Sequence, residues 1–289
     1  MSLLVELSPK LLLEFKDGEK SCDISCDLRT KNLYKLMKNY NCDFKLLTAL
    51  GGNFGEEIYN YFMKNSVKVE RIDIRDDTGV IGIIRDGKIT LSGESSSQVF
   101  TFDDIRSIKS KYITSIYNEN DIILPIFESE MEFASEFIKK ANEYYKNIII
   151  FGPKAHLYIK FNPTIAILTK KEVVDLCPFK ITSNYEFVNF SYSLVEDFKT
   201  RVIIIDDDSL YFYKTGICYL IENIKTDFTK TLFATVFASQ NNMDNDAIIQ
   251  FVAAANIMPS DSRIGDIIER SNKIKVGVYR RWGNSAFCT

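Results

Sequence analysis

The chain has 289 residues, of which 46% are hydrophobic and 26% are charged, proportions that are ordinary for a soluble globular protein. Its formal net charge is −3, so we expect no basic surface that would bind nucleic acid or an anionic membrane. Because no segment reads as a membrane span or a secretory signal, we expect a protein of the cytoplasm.

Two predicted β-hairpins come first in the chain. The segments LLLEFKDGEKSCDIS (11–25) and TGVIGIIRDGKITLSGES (78–95) each carry Asp-Gly between β-prone flanks. Asp-Gly favours a two-residue hairpin turn, since both central positions need a positive φ. We therefore predict a single domain over 1–289, with the strands of a small β-sheet lid inserted at about 11–28 and 75–100.

From about residue 120 onward, apolar strands alternate with helices. Strands are predicted at DIILPIF (121–127), NIIIFG (147–152), TIAIL (164–168) and RVIII (201–205), and helices at SEMEFASEFIKKANEYY (129–145) and KKEVVDL (170–176). Apolar runs without strict alternation are typical of strands that are covered on both faces. The sequence thus predicts an α/β fold with a doubly wound, mostly parallel sheet flanked by helices.

The stretch NIKTDFTKTLFATVFAS (223–239) is predicted to be a helix entered from a strand. Asp227 is a residue type that favours the N-cap of a helix. A second interpretation stays open, in which Lys230 with Thr226, Thr229 and Thr231 forms an anion-binding turn.

Other polar residues favour structural interpretations over metal-binding or catalytic ones. Asp206, Asp207 and Asp208 could attract magnesium, but their place between RVIII and LYFY favours a hairpin of solvated aspartates. The six cysteines are scattered and Cys22 and Cys26 have no partner pair at zinc-site spacing, which favours reduced thiols. His156 is the only histidine, and a packed or surface role is expected for it.

The order of elements and the stretch Thr48-Ala49-Leu50-Gly51-Gly52 with Gly55 resemble the PfkB or ribokinase-like carbohydrate kinases. The phosphosugar branch, 1-phosphofructokinase and tagatose-6-phosphate kinase, is the most similar. The resemblance covers almost the whole chain and implies a ribokinase-like fold, ATP and Mg²⁺ as cofactors, a sugar phosphate substrate and a homodimer formed through the lid. The glycines alone also fit a tight strand-to-helix connection.

The family's catalytic turn has diverged in this chain. Family members open a helix with Gly-Ala-Gly-Asp, whose amides hold phosphate charge and whose aspartate takes the proton of the sugar hydroxyl. The corresponding residues are Asp227, Phe228, Thr229 and Lys230. Lys230 stands at the position of the base, where an ammonium group cannot accept a proton. Asp227 would repel a triphosphate, so the resemblance predicts weakened ATP and Mg²⁺ binding.

The family's sugar and metal motifs are also only partly kept. Lys31 and Asn32 are the remaining candidates for the sugar clamp, and Gly79 follows Thr78 where the phosphosugar branch has an arginine. Glu172 retains the acid of the family's magnesium-ordering Asn-x-x-Glu, with Thr169 in place of asparagine. A first helical turn capped by Glu172 is the alternative interpretation.

Three functional hypotheses follow. The first is a kinase homologue that has lost catalysis and acts in binding, sensing or assembly, because base, anion turn and sugar clamp are replaced together. The second is a divergent but active phosphosugar kinase. The third is an unrelated α/β enzyme with a new site in the same cleft, for which the sequence shows no nucleophile–base pair.

Overall fold

The structure is a computed structural model of the chain. It describes residues 1–16, 22–27, 30–86, 89–94, 99–196, 198–214, 216–282 and 285–288. No helix within these ranges is long and apolar enough to cross a membrane.

Helices and strands alternate through most of the chain. The helices are α1 (Lys31–Asn39), α2 (Gly52–Lys64), α3 (Phe102–Tyr117), α4 (Glu128–Glu143), α5 (Lys170–Leu176), α6 (Asn184–Glu196), α7 (Phe228–Gln240), α8 (Asn245–Ile257) and α9 (Ile264–Ser271), and a 3₁₀ helix spans Ala155–Phe161. The strands are β1 (Ser2–Val5), β2 (Lys10–Lys16), β3 (Cys22–Asp27), β4 (Phe44–Leu50), β5 (Val69–Asp73), β6 (Val80–Asp86), β7 (Ile89–Glu94), β8 (Asp121–Pro125), β9 (Asn147–Phe151), β10 (Ile165–Thr169), β11 (Arg201–Ile205), β12 (Ser209–Lys214), β13 (Ile217–Glu222), β14 (Gly277–Trp282) and β15 (Ser285–Cys288).

The main sheet has eleven strands in the order β15-β14-β13-β12-β11-β10-β9-β8-β1-β4-β5. The strands from β5 to β11 in this order pair in parallel, and β12 to β15 extend the sheet with antiparallel pairs. The carboxyl ends of the parallel strands meet at one edge, where open α/β sheets bind their ligands.

Helices cover both faces of this sheet. On one face Leu4, Ile123 and Ile203 pack with apolar residues of α1, α2, α7, α8 and α9. On the other face their neighbours Leu3 and Ile122 pack with residues of α3, α4, α5 and α6. The predicted doubly wound, mostly parallel α/β fold is therefore confirmed, because both faces of each central strand are buried.

The elements predicted after residue 120 lie close to the predicted positions. The four apolar runs form β8, β9, β10 and β11, and the helical pattern over 129–145 forms α4. The stretch 223–239 holds α7 after strand β13, as predicted.

A second sheet of four strands has the order β3-β2-β6-β7. β2 and β6 pair in parallel at its centre, while β2–β3 and β6–β7 are antiparallel pairs. Leu11 is buried, and Leu13 and Val80 pack beside it against the main core. The predicted Asp-Gly turns fall on residues 17–18 and 86–87, of which 17, 18 and 87 lie outside the described residues.

Candidate functional site

Asp227 caps helix α7 at the position where the sequence resemblance predicts a catalytic turn. Its backbone is extended, with φ −135°, and its Oδ1 accepts a hydrogen bond of 2.8 Å from the amide N–H of Lys230. The positive end of the helix dipole is thus partly compensated by the chain's own carboxylate. An incoming phosphate would meet this negative charge, and one of the amides that it would need is already engaged.

Phe228 and Thr229 fill the next two positions of the turn. The ring of Phe228 lies 6.0 Å, centroid to centroid, from the ring of Phe151, the last residue of β9. Both Phe228 and Thr229 are half-buried. Side chains therefore occupy the space in which a glycine turn would let backbone amides approach a phosphate closely.

Lys230 is directed to the end of the neighbouring helix. Its Nζ donates a hydrogen bond of 2.7 Å to the main-chain carbonyl of Met258, the C-cap residue of α8. A cation at the carboxyl end of a helix is stabilised by the helix dipole. Lys230 therefore supplies a hydrogen-bond donor to a carbonyl at the end of α8. A role in anion binding for Thr226, Asp227, Thr229 and Lys230 stays a prediction.

Asn256 on α8 organises the same turn and was missed in the sequence. It is nearly buried, accepts a 2.6 Å hydrogen bond from the Asp227 amide, and donates from Nδ2 to the Thr231 hydroxyl and the Val252 carbonyl, each at 2.9 Å. The sequence signal was a lone amide in the apolar run FVAAANIM. A buried polar group of this kind needs partners.

The aspartate run 206–208 forms the turn between β11 and β12, as the hairpin interpretation predicted. Its carbonyls accept hydrogen bonds from the segment before α7. The Ile224 amide donates to the Asp208 carbonyl at 3.1 Å, and the Thr226 amide donates to the Asp207 carbonyl at 3.2 Å. The Thr226 hydroxyl donates to the Asp206 carbonyl. Asp207 and Asp208 are exposed, as expected.

Asp206 is the exception, because its carboxylate is 2.5 Å from Lys170 Nζ. Within the described residues no group of three or more His, Cys, Asp or Glu side chains is arranged to hold a metal ion.

Glu172 forms a capping box at the start of α5. Its Oε2 accepts a 2.6 Å hydrogen bond from the Thr169 amide, and the Thr169 hydroxyl accepts one of 3.3 Å from the Glu172 amide. This reciprocal pair satisfies two amides at the helix terminus. The predicted candidate metal ligand is thus used by its own helix, and a metal role for it stays a prediction.

Lys31 and Asn32, the sugar-binding candidates, begin helix α1. Lys31 is half-buried and Asn32 is exposed. The residue before them, Thr30, donates both its hydroxyl and, at 3.2 Å, its amide to the buried carboxylate of Glu6, which follows β1. Within the described residues no hydrogen bond or ion pair joins Lys31 or Asn32 to residues 226–230, so their sugar role stays a prediction.

His156 lies in the 3₁₀ helix that follows β9. Its Nδ1 is buried and has no hydrogen-bond partner in the part of the chain that the structure describes. Burial lowers the pKa of His156 below its ordinary value, although the charge of Glu172 opposes this shift. The imidazole is therefore neutral at pH 7, which agrees with a packed role.

Comparison with known proteins identifies the fold. No protein-family model and no curated protein matches the chain. Among solved structures, a provisionally named phosphofructokinase of Staphylococcus aureus superposes with a TM-score of 0.76 at 14% identity, covering 97% of this chain and 99% of the other.

Phosphofructokinase-2 of Escherichia coli in complex with fructose-6-phosphate gives a TM-score of 0.69 at 13% identity, over 94% and 98% of the two chains. A protein of Thermotoga maritima described as a possible 1-phosphofructokinase gives 0.70 at 12% identity, over 98% and 100%. This chain has the fold of these sugar kinases. The resemblance predicted from sequence is confirmed for the fold, and function has to be argued from the site.

Proposed function

We propose that this chain is a PfkB-type carbohydrate kinase homologue that has lost ordinary phosphoryl transfer and acts in binding, sensing or assembly. The shared fold supports the kinase ancestry. The observation that carries the loss is the first turn of α7, where the Asp227 carboxylate caps the helix and the Lys230 ammonium is bonded to the Met258 carbonyl.

The chemistry of this turn opposes catalysis at two steps. Transfer to a hydroxyl needs a group that takes its proton, and loss of such a base costs about 10²–10⁴ in rate. Lys230 is not a carboxylate base, and its Nζ donates a hydrogen bond to the Met258 carbonyl. Stabilisation of the transferred phosphoryl group needs free amides at the helix terminus, and Asp227 engages one of them.

The residues present do not fit a magnesium–nucleotide complex. Glu172 is used as a helix cap, Asp206 is paired with Lys170, and Asp227 places negative charge at the α7 terminus. We therefore derive no phosphoryl-transfer step. A sugar phosphate or nucleotide remains a possible ligand within this proposal, but not as a reacting pair.

Assembly through the second sheet is part of the same proposal. Leu12 on β2 lies beside Ile81 on β6, and Ile83 follows on the same face. These side chains are half-buried and belong to neither core of the main sheet. A second copy of the chain would cover this apolar row. One phosphofructokinase-2 structure of Escherichia coli with this fold is described as tetrameric.

A kinase assay tests the proposal. Purified protein is given Mg-ATP with fructose-6-phosphate, fructose-1-phosphate or tagatose-6-phosphate, and ADP release and thermal shifts are measured. We expect no turnover and no Mg-ATP shift. ATP-dependent turnover by the unaltered chain would establish the alternative, a divergent phosphosugar kinase.

A triple variant, Asp227→Gly with Thr229→Gly and Lys230→Asp, rebuilds the turn. We expect it to gain a Mg-ATP-dependent thermal shift, because free amides and space are returned to the helix terminus. Lys225→Gln is the matched control, since it lowers the net charge by one unit, as the triple variant does, at an exposed neighbouring position. A shift of equal size in this control would contradict the assignment of the loss to the α7 turn.

A further inference from the structure

A polar groove lies between the end of α1 and the loop that joins α8 to α9. It is lined by residues 39–41 and 260–264 and has a volume of about 460 Å³. This volume falls within the range of about 300–1,000 Å³ that is usual for small-molecule pockets. None of the site residues discussed above lines it.

The walls of the groove are fixed by hydrogen bonds. The Tyr40 hydroxyl donates at 3.1 Å to the carbonyl of Ser260, and the Tyr40 ring stacks on Phe233 with centroids 4.6 Å apart. The Ser262 amide donates to the Pro259 carbonyl at 3.1 Å. Arg263 makes two hydrogen bonds, of 3.1 and 3.2 Å, to the carboxylate of Asp266. A groove held in this way is largely formed before a ligand arrives.

The lining is rich in hydrogen-bond acceptors without partners. The side chains of Asn39, Asn41 and Asp261 take part in no hydrogen bond or ion pair within the described residues. Tyr40 and Asp261 line the same groove, and burial and the charge of Asp261 raise the pKa of the Tyr40 phenol.

This chemistry selects a neutral ligand with several hydroxyl groups. Asp261 and the asparagine amides can accept hydrogen bonds from neighbouring hydroxyls, and the amides can donate to others. The Tyr40 ring supplies a flat apolar surface beside them. An anionic ligand is disfavoured because the Asp261 carboxylate is negative, while Arg263 of the lining is already paired with Asp266. We infer that this groove binds an unphosphorylated sugar or polyol.

The groove is joined to the α7 turn by a short segment of chain. Asn256 contacts Asp227, Met258 accepts from Lys230, and Ser260 accepts from Tyr40. Every second residue of the segment 256–260 therefore makes one of these contacts. A ligand held at Ser260 and Asp261 therefore acts on the same segment that closes the α7 turn.

Isothermal titration with glucose, fructose and sorbitol tests the inference on the full chain without nucleotide. We expect saturable binding of at least one probe. Asp261→Ala should weaken it at least about tenfold, because a hydrogen bond to a charged acceptor is lost. Asn39→Ala should also weaken the binding of the probe. Tyr40→Phe should weaken binding because it removes the hydrogen bond between the Tyr40 hydroxyl and the Ser260 carbonyl. Asp175→Ala, at an exposed position on α5, is the matched control and should bind like the unaltered chain.

Two results would overturn the inference. One is the absence of saturable heat for all three probes at millimolar concentration. The other is equal affinity in the unaltered chain and in Asp261→Ala and Asn39→Ala proteins that melt normally, because the ligand would then lie elsewhere. The experiment contains no nucleotide, so its failure is separate from failure of the kinase proposal.

Discussion

A single asparagine holds together the turn on which the functional proposal depends. Asn256 satisfies the Asp227 amide, the Thr231 hydroxyl and the Val252 carbonyl at once, while being only 7% exposed. Without Asn256 each of these groups would lose one hydrogen-bond partner, and Thr231 and Val252 are fully buried. The cost of an unmade buried hydrogen bond is greater than the gain from making one.

We predict that Asn256→Ala lowers the free energy of unfolding by about 2–3 kcal/mol, because one donor, the Asp227 amide, and two acceptors, the Thr231 hydroxyl and the Val252 carbonyl, each lose a hydrogen bond. Urea unfolding followed by circular dichroism measures the change. Asn60→Ala, at an exposed position of α2, is the control and should stay within about 0.5 kcal/mol of the unaltered chain. Equal, small effects of the two substitutions would show that the network adds no stability.

At the scale of elements, Gly51 and Gly52 allow residues 76–78 to pack closely against the start of α2. Gly51 is the N-cap of α2; its amide donates to the Thr78 hydroxyl at 2.9 Å, and its carbonyl accepts from the Thr78 amide at 3.0 Å. A Cβ on Gly51 would lie 1.9 Å from the Asp76 carbonyl oxygen. Gly52 has φ +62°, a conformation that favours glycine. The close approach of residues 76–78 explains these two glycines without any ligand.

We predict that Gly51→Ala destabilises the protein by about 1–3 kcal/mol, since main-chain atoms of residues 74–76 must move to admit the methyl group. Gly265→Ala, on α9, should have the opposite sign, because its Cβ meets nothing within 4 Å and alanine favours a helix by up to about 1 kcal/mol. Thermal unfolding of both variants measures the difference. A Gly51→Ala protein as stable as the unaltered chain would contradict the packing argument.

At the scale of the whole molecule, the two sheets differ in how they are covered. The main sheet is buried by helices on both faces. The second sheet buries Leu11, Leu13 and Val80 against the main core, whereas Ile81 and Ile83 lie on the opposite face. These residues are divided between the two faces because successive side chains of a strand point to opposite sides of the sheet. The side chains of Ile84 and Ile89, in the same sheet, lie outside the described residues.

We predict a dimer that forms through this second face. Sedimentation velocity should show a concentration-dependent dimer for the unaltered chain, and Ile81→Lys should shift it to monomer because a charge would be buried in an apolar interface. Val174→Lys, at an exposed apolar position of α5, is the control and should leave the dimer intact. A monomer at every concentration would rule the dimer out.

The sequence by itself determined the layered α/β fold and the position of the unusual turn. Continuous apolar runs such as RVIII can be buried on both faces only between helices, so the pattern indicated a parallel sheet. Counting back from FATVFA, the resemblance predicted that residues 227–230 correspond to the catalytic turn, and the N-cap preference of aspartate identified the start of α7. These are local properties, which can be read from neighbours in the chain.

Only the tertiary structure decided what the side chains of the site do. Lys230 could have faced an anion, and its bond to Met258 depends on how α8 packs beside α7. Asp206 could have been solvated, but β10 and β11 are neighbours in the sheet, and Lys170 and Asp206, which follow them, form an ion pair. Long polar side chains have several partners of similar energy within reach, so the choice among them is made by distant residues that the fold brings together.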